Sequence, residues 1–132
     1  MKRFVIGPDV VLHLAATRAA IPAQNRLLAP TLLRSHALAL LYGGVRRGEL
    51  DRREAQDRLD YMRSLKLRLL GDRVLQRVAW DIAERLEWPD TYQAEYLALT
   101  RLQADIFVTL DRDLARIARN VVPVGEVELL TR

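Results

Sequence analysis

The sequence predicts an α/β fold, a three-layer α/β/α sandwich around a central parallel sheet. Short apolar runs such as Phe4-Val5-Ile6 and Ile106-Phe107-Val108 alternate with segments of helical periodicity. Strands separated by helices pair in parallel through right-handed crossovers. Strands apolar on both sides are those covered by helices on both faces of a sheet. A chain of 132 residues, half of them hydrophobic, suits one domain spanning residues 1–132.

In chain order, KRFVIG (2–7) reads as a short buried strand. PDVVLHLAATRA (8–19) reads as a helix with proline at its start, and Pro22 closes it. APTLLRSHALALLYGGVRRG (29–48) is a second helix, ended by Gly43-Gly44 or by Gly48. DRREAQDRLDYMRSL (51–65) begins at Asp51 with Glu54 three residues on, the spacing of a capping box. Ala55, Leu59 and Met62 form its apolar stripe. KLRLLG (66–71) is a strand, with Leu65, Leu67 and Leu69 alternating against Lys66 and Arg68. Asp72 caps a helix over 72–88, in which Leu75, Val78, Ala79, Ile82 and Leu86 line one face; Trp88-Pro89 stops it. A further helix over 90–103 begins at Asp90. DIFVTL (105–110) is a strand, DRDLARIARN (111–120) a helix and VVPV (121–124) a last short strand. There is no internal repeat, low-complexity tract or linker.

Cysteine is absent, which excludes disulfides and thiolate metal sites and fits a reducing cytosol. No apolar stretch is long and uncharged enough to span a membrane. Asp9 inside the first apolar run, and Arg18 after it, argue against a signal peptide. The expected location is the cytoplasm. The net charge of +4 is ordinary for a soluble protein, but lysine occurs only at Lys2 and Lys66. Arginine's planar fork suits phosphate, and a basic balance favours an anionic partner. Arg46-Arg47 and Arg52-Arg53 fit phosphate contacts or, with Glu49, Asp51 and Glu54 interleaved, a solvated surface. GGVRRG (43–48) lacks the pattern of a phosphate-binding loop, and Ser35 and His36 are adjacent in one helix, so they point apart.

Two acids stand out by position. Asp9 follows the first strand and Asp111 follows the strand over 105–110, so both sit on the carboxyl edge of the sheet, where ligands collect. On neighbouring strands they converge on one cation, and hard oxygen ligands point to Mg²⁺ or Mn²⁺. Each also has a purely structural role open to it. Asp111 fits the N-cap of its helix, Asp113 then favouring the positive helix end, and Asp9 fits the first turn of the first helix.

With those residues in view, the chain resembles PIN domains, specifically the VapC-type toxins of bacterial toxin–antitoxin pairs. The resemblance covers nearly the whole chain. It rests on the early strand ending at Asp9, on LAPTLLRSHALALLY (28–42), on DTYQAEYLAL (90–99), similar to the family's Tyr-Asp-Ala-x-Tyr-x-x-Leu helix, and on FVTLDRDLARIA (107–118), similar to its Thr-x-Asp-x-x-Leu ending. The resemblance implies a Mg²⁺- or Mn²⁺-dependent endoribonuclease, an RNA substrate, a cognate antitoxin and a homodimer. It assigns Asp9 to the family's first acidic position, Asp111 to the last and Asp113 to an additional acid, making these three the implied metal ligands.

The remaining two acidic positions of the family hold His36 and Gln93 here. At an effective dielectric of about 20, a charge pair at 4 Å is worth about 4 kcal/mol, so two missing carboxylates weaken metal attraction severely. Mg²⁺ nevertheless often uses only one or two carboxylates plus substrate phosphate. Glu95, about 200° around the helix from Gln93, is no direct substitute. Asp90 shares Gln93's face but also has capping-box spacing to it. His36 fits a Mn²⁺ ligand, a general base or a hydrogen-bonded helix histidine. His13, Tyr92, Tyr96, Trp80 and Trp88 are assigned to structure and packing. Two functions follow: a ribonuclease built on Asp9, Asp111, Gln93 and His36, or a catalytically weakened PIN-like module that binds RNA or a protein partner. A receiver-type phosphoacceptor domain needs an acidic pair after the first strand and a late lysine, and the chain has neither.

Overall fold

The computed structural model describes residues 2–132. In chain order the elements are β1 (Lys2–Ile6), α1 (Pro8–Thr17), β2 (Asn25–Pro30), α2 (Leu33–Arg46), α3 (Arg52–Ser64), β3 (Leu67–Leu70), α4 (Arg73–Arg85), α5 (Tyr92–Gln103), β4 (Ile106–Val108), α6 (Arg112–Ala118) and β5 (Val124–Gly125), with a 3-10 turn at Val127–Thr131. The strands form one five-stranded sheet in the order β3-β2-β1-β4-β5, every pair parallel. The three-layer expectation therefore holds. No helix among the described residues is long and apolar enough to cross a membrane.

β1 is the central strand, and Phe4, Val5 and Ile6 are all buried, as strands covered on both faces must be. They pack with Leu27, Leu28, Phe107, Val108 and the buried face of α5, including Tyr96 and Leu97. β1 pairs with β4 through Ile6 and Val108 at their last residues, and with β2 on the other side. Strand order reverses direction between β1 and β4. That is the topological switch point, where the chains leaving the two strands diverge and open a crevice.

Strand β2 corrects the sequence reading, which carried no strand between Pro22 and the second helix and began that helix at Ala29. Leu-Leu-Ala has no strand preference of its own; pairing to β1 and β3 makes it one. Pro30 is tolerated as the strand's last residue. Helix α2 begins at Leu33 and runs through Gly43-Gly44, because Gly44 gives the room that the Leu50 side chain occupies. The chain turns at Gly48, which has φ +76°. The capping box of α3 forms with both arms, Asp51 accepting from Glu54 N at 2.8 Å and Glu54 accepting from Asp51 N at 3.0 Å. Asp72 caps α4 through Leu75 N at 2.8 Å. The spacing from Asp90 to Gln93 forms no such box: Asp90 accepts from Tyr92 N at 3.2 Å, and Thr91 is the N-cap. Arg47 pairs with Glu49 on the surface at 2.8 Å.

Candidate active site at the sheet switch point

Gly7 leaves β1 with its amide donating to the Val108 carbonyl at 3.3 Å, which extends the β1–β4 pairing by one step. Pro8 starts α1 and places Asp9 in its first turn. The Asp9 carboxylate folds back over Gly7: a Cβ there would stand 2.6 Å from Asp9 Oδ1, so a larger residue would have to displace that oxygen. Asp9 Oδ1 accepts from the adjacent Val10 amide at 2.9 Å. Oδ2 reaches across the crevice and accepts from the Thr109 hydroxyl at 2.9 Å and the Leu110 amide at 2.8 Å. One carboxylate thus ties the exit of β1 to the exit of β4.

Thr109 is only 8% exposed, and its hydroxyl is used twice. It donates to Asp9 and accepts from the Asp111 amide at 3.2 Å. Asp111 then caps α6, its Oδ1 accepting from Asp113 N at 3.0 Å and Leu114 N at 3.1 Å. Its other oxygen accepts no hydrogen bond among the described residues. Asp113 turns to solvent, with its side chain 82% exposed and 3.4 Å from Arg116.

His36 lies on α2, half-buried between two tyrosines of α5. Its ring meets Tyr92 edge-on at 5.7 Å and stacks parallel to Tyr96 at 6.3 Å, with Nδ1 3.4 Å from the Tyr96 hydroxyl. Burial, followed by the charges of Glu95 and Asp9, raises the Tyr96 phenol well above its ordinary value. Tyr96 therefore stays protonated, with its hydroxyl beside His36 Nδ1. Gln93, one turn before the Tyr96-Leu97 face, shares a shallow cavity of about 290 Å³ with Asp111, Asp90, Trp88 and Ile117. Glu95 is half-buried, and burial raises its carboxyl.

The structure thus joins Asp9 and Asp111 through the Thr109 hydroxyl, sets Gln93 beside Asp111 and holds His36 on Tyr96. Among the described residues no group of three or more His, Asp or Glu side chains is placed to hold a metal ion. Asp9, Asp111 and Asp113 do not form a three-ligand set. What remains is one carboxylate oxygen of Asp9 held only by its neighbouring amide and one of Asp111 held by nothing. That donor set fits a largely hydrated Mg²⁺ or Mn²⁺ shared with a substrate phosphate, and does not fit a resident ion in a protein cage.

Thr109 and Gly7 shape the candidate site and were not singled out from the sequence; Tyr96, assigned there to packing, is buried and also meets His36. Thr109 had a usable signal, since a threonine two residues before an N-cap aspartate reads as a local side-chain turn. The contact between Tyr96 and His36 had none, because the two residues are distant in sequence.

No family model matches the chain, and no curated protein matches it. Solved structures do. The crystal structure of PAE2754 from Pyrobaculum aerophilum has 22% identity and a TM-score of 0.78, over 98% of this chain and 93% of that one. VapBC2 from Rickettsia felis, bound to a DNA fragment from its promoter, has 10% identity and a TM-score of 0.66, over 94% and 98%. VapBC-1 from nontypeable Haemophilus influenzae has 11% identity and a TM-score of 0.57, over 96% and 98%. At such identities the likeness establishes the fold, a PIN-like parallel sheet flanked by helices.

Proposed function

We propose that this chain is a metal-dependent endoribonuclease of VapC toxin type, working with a depleted acidic centre that receives its Mg²⁺ or Mn²⁺ together with the RNA phosphate. The observation that carries the reading is the link across the β1–β4 switch point, where the Thr109 hydroxyl donates to the Asp9 carboxylate and accepts from the Asp111 backbone amide, with one Asp9 oxygen held only by the Val10 amide and one Asp111 oxygen free of hydrogen bonds among the described residues. Structural likeness to VapBC complexes supports the assignment.

When bound with the scissile phosphate, the cation supplies charge neutralisation and an acidified water. Asp9 and Asp111 present anionic oxygens on opposite sides of the crevice. Thr109 and Leu110 fix the Asp9 carboxylate so that it does not reorganise during the reaction. His36, held beside the Tyr96 hydroxyl, offers its other ring nitrogen to a phosphate, leaving oxygen or attacking water. Gln93 offers an amide beside Asp111 that orients substrate without adding charge. The same reading includes a cytoplasmic location, a homodimer and an antitoxin. Exposed apolar side chains on α2, Leu38 and Tyr42, and on α4, Val74 and Trp80, suit protein partners.

The test is cleavage of a structured RNA by the purified chain in Mg²⁺, in Mn²⁺ and in chelator. Metal-dependent cleavage is expected, with a loss on the order of 10²-fold or more in Asp9→Asn, the scale of removing one group that acts in the transition state. Equal activity in the variant, or none in either protein, rejects the reading.

A second reading is favoured by one observation. Both acids already serve the fold, since Asp9 and Asp111 each accept from backbone amides. On that basis the chain is a non-catalytic PIN-like module that binds RNA or a protein partner. Saturable RNA binding with no cleavage at any Mn²⁺ concentration selects this reading over the first.

A further inference from the structure

At the amino ends of the strands, on the sheet edge opposite Asp9 and Asp111, lies a cavity of about 830 Å³. Four cations line it: Arg3, Arg26, Lys66 and Arg68. Arg3 and Arg26 are direct partners across β1 and β2. Lys66 precedes Leu67, the partner of Leu27, so it lies level with Arg26 on the next strand, and Arg68 pairs with Leu28. Registered neighbours in a pleated sheet point to the same side, so these cations form a row on one side of three adjacent strands. Like charges directly opposite one another destabilise a sheet.

No ion pair among the described residues neutralises the row. The ion pairs among the described residues are Arg47–Glu49, Arg63–Asp60 and Arg116–Asp113. Among the described residues no acid lines the cavity. Asp105, bonded nearby, gives its carboxylate to the Arg3 backbone amide at 2.9 Å rather than to the guanidinium. An unbalanced row of cations facing a concave space is arranged for an anion from outside the chain.

The remaining walls define the rest of that ligand. Ile21, Pro22 and Leu65 are apolar, and the Tyr61 hydroxyl is committed to the Ala19 carbonyl at 2.7 Å, which leaves a largely apolar surface. Asn25 spends its amide nitrogen on the Leu130 carbonyl at 2.9 Å and retains its side-chain oxygen as an acceptor. Gln103 makes no side-chain hydrogen bond among the described residues, so its amide is available in both senses. The volume is far larger than an inorganic anion needs and lies within the roughly 300–1,000 Å³ range of small-molecule sites.

We propose that this cavity binds a nucleoside phosphate, with the phosphate on the row of Arg3, Arg26, Lys66 and Arg68, the base against Ile21, Leu65 and Tyr61, and Asn25 and Gln103 reading polar edges. The ligand is a free nucleotide or the 5′-terminal nucleotide of an RNA. The site is separate from the acidic crevice and does not depend on cleavage there.

The experiment is a nuclear magnetic resonance titration of the full chain with AMP, adenosine, inorganic phosphate and a short 5′-phosphorylated oligoribonucleotide. AMP is expected to shift the amides of residues 25–28 and 66–68 saturably, with adenosine and phosphate each at least about tenfold weaker. Arg26→Gln and Arg68→Gln are expected to weaken AMP by about tenfold each, equivalent to roughly 1.4 kcal/mol, without lowering the melting temperature, because each relieves like-charge crowding. Both sources place the nucleotide in this cavity: an oligonucleotide binding more tightly than AMP identifies an RNA terminus, and one binding no more tightly identifies the free nucleotide. No saturable shift with AMP at millimolar concentration, phosphate alone binding as well as AMP, or affinity unchanged in the variants overturns the proposal.

Discussion

Replacing Asp9 with alanine tests whether its carboxylate holds the fold together as the structure describes. Three donors lose their acceptor at once: Val10 N, the Thr109 hydroxyl and Leu110 N. Water replaces the acceptor for Leu110, which is 45% exposed, and Val10 N lies in the first helical turn, where amides are ordinarily uncompensated. The buried Thr109 hydroxyl has no such substitute, and an unsatisfied buried polar group costs about 1–3 kcal/mol. With the smaller losses at the two amides, the expected destabilisation is about 2–3 kcal/mol. For a chain of this length that is a fall in melting temperature of roughly 6–10 °C. Asp9→Asn retains one acceptor oxygen for Thr109 and Leu110 but turns a donor toward Val10 N, so it falls between wild type and alanine. The assay is thermal unfolding followed by circular dichroism in metal-free buffer with chelator. A melting temperature unchanged or raised by alanine shows that the carboxylate does not bridge β1 and β4. It would then be an electrostatic burden awaiting a cation, and the donor set deduced for the metal would have to be redrawn.

Gly7→Ala forces a Cβ to within 2.6 Å of Asp9 Oδ1, so that oxygen must shift from the Val10 amide and turn the carboxylate; RNA cleavage and melting temperature are both expected to fall, and a variant matching wild type in both refutes the packing. Glu95 has a folded-state carboxyl raised by burial above its ordinary 4.5. Its contribution to stability is therefore full below that value and lost as pH rises through the folded-state value, so Glu95→Gln should stabilise the chain near neutral pH and lose that advantage on acidification, as urea unfolding at several pH values will show. The double variant His36→Glu with Gln93→Asp adds two carboxylates near the crevice; it should acquire a saturable Mn²⁺ heat in calorimetry that the wild type lacks and lose stability in chelator, whereas identical titrations would place those positions too far from Asp9 and Asp111 to share an ion. Asp51→Ala removes the side-chain arm of the α3 capping box, which accepts from Glu54 N, and keeps the backbone arm to Glu54; it should cost about 1 kcal/mol in denaturant unfolding.

Local features of this protein were present in the sequence because their physics is local. Asp51 with Glu54, Asp72 with Leu75 N and Asp111 at the start of α6 are caps set by side chains three residues or fewer from their partners. Phe4-Val5-Ile6 and Ile106-Phe107-Val108 are too apolar to sit anywhere but inside a covered sheet, and that placed Asp9 and Asp111 at strand ends. Tertiary structure decided the rest. Leu27-Leu28-Ala29 becomes a strand only because β1 and β3 offer edges to it, and Asp90 with Gln93 has capping-box spacing yet forms none. The adjacency of β1 and β4, the spending of Asp9 on Thr109 and Leu110, and the meeting of Arg3, Arg26 and Lys66 join residues far apart in sequence. Such contacts follow from which strand edges pair most favourably across the whole chain, a competition that no short stretch of residues encodes.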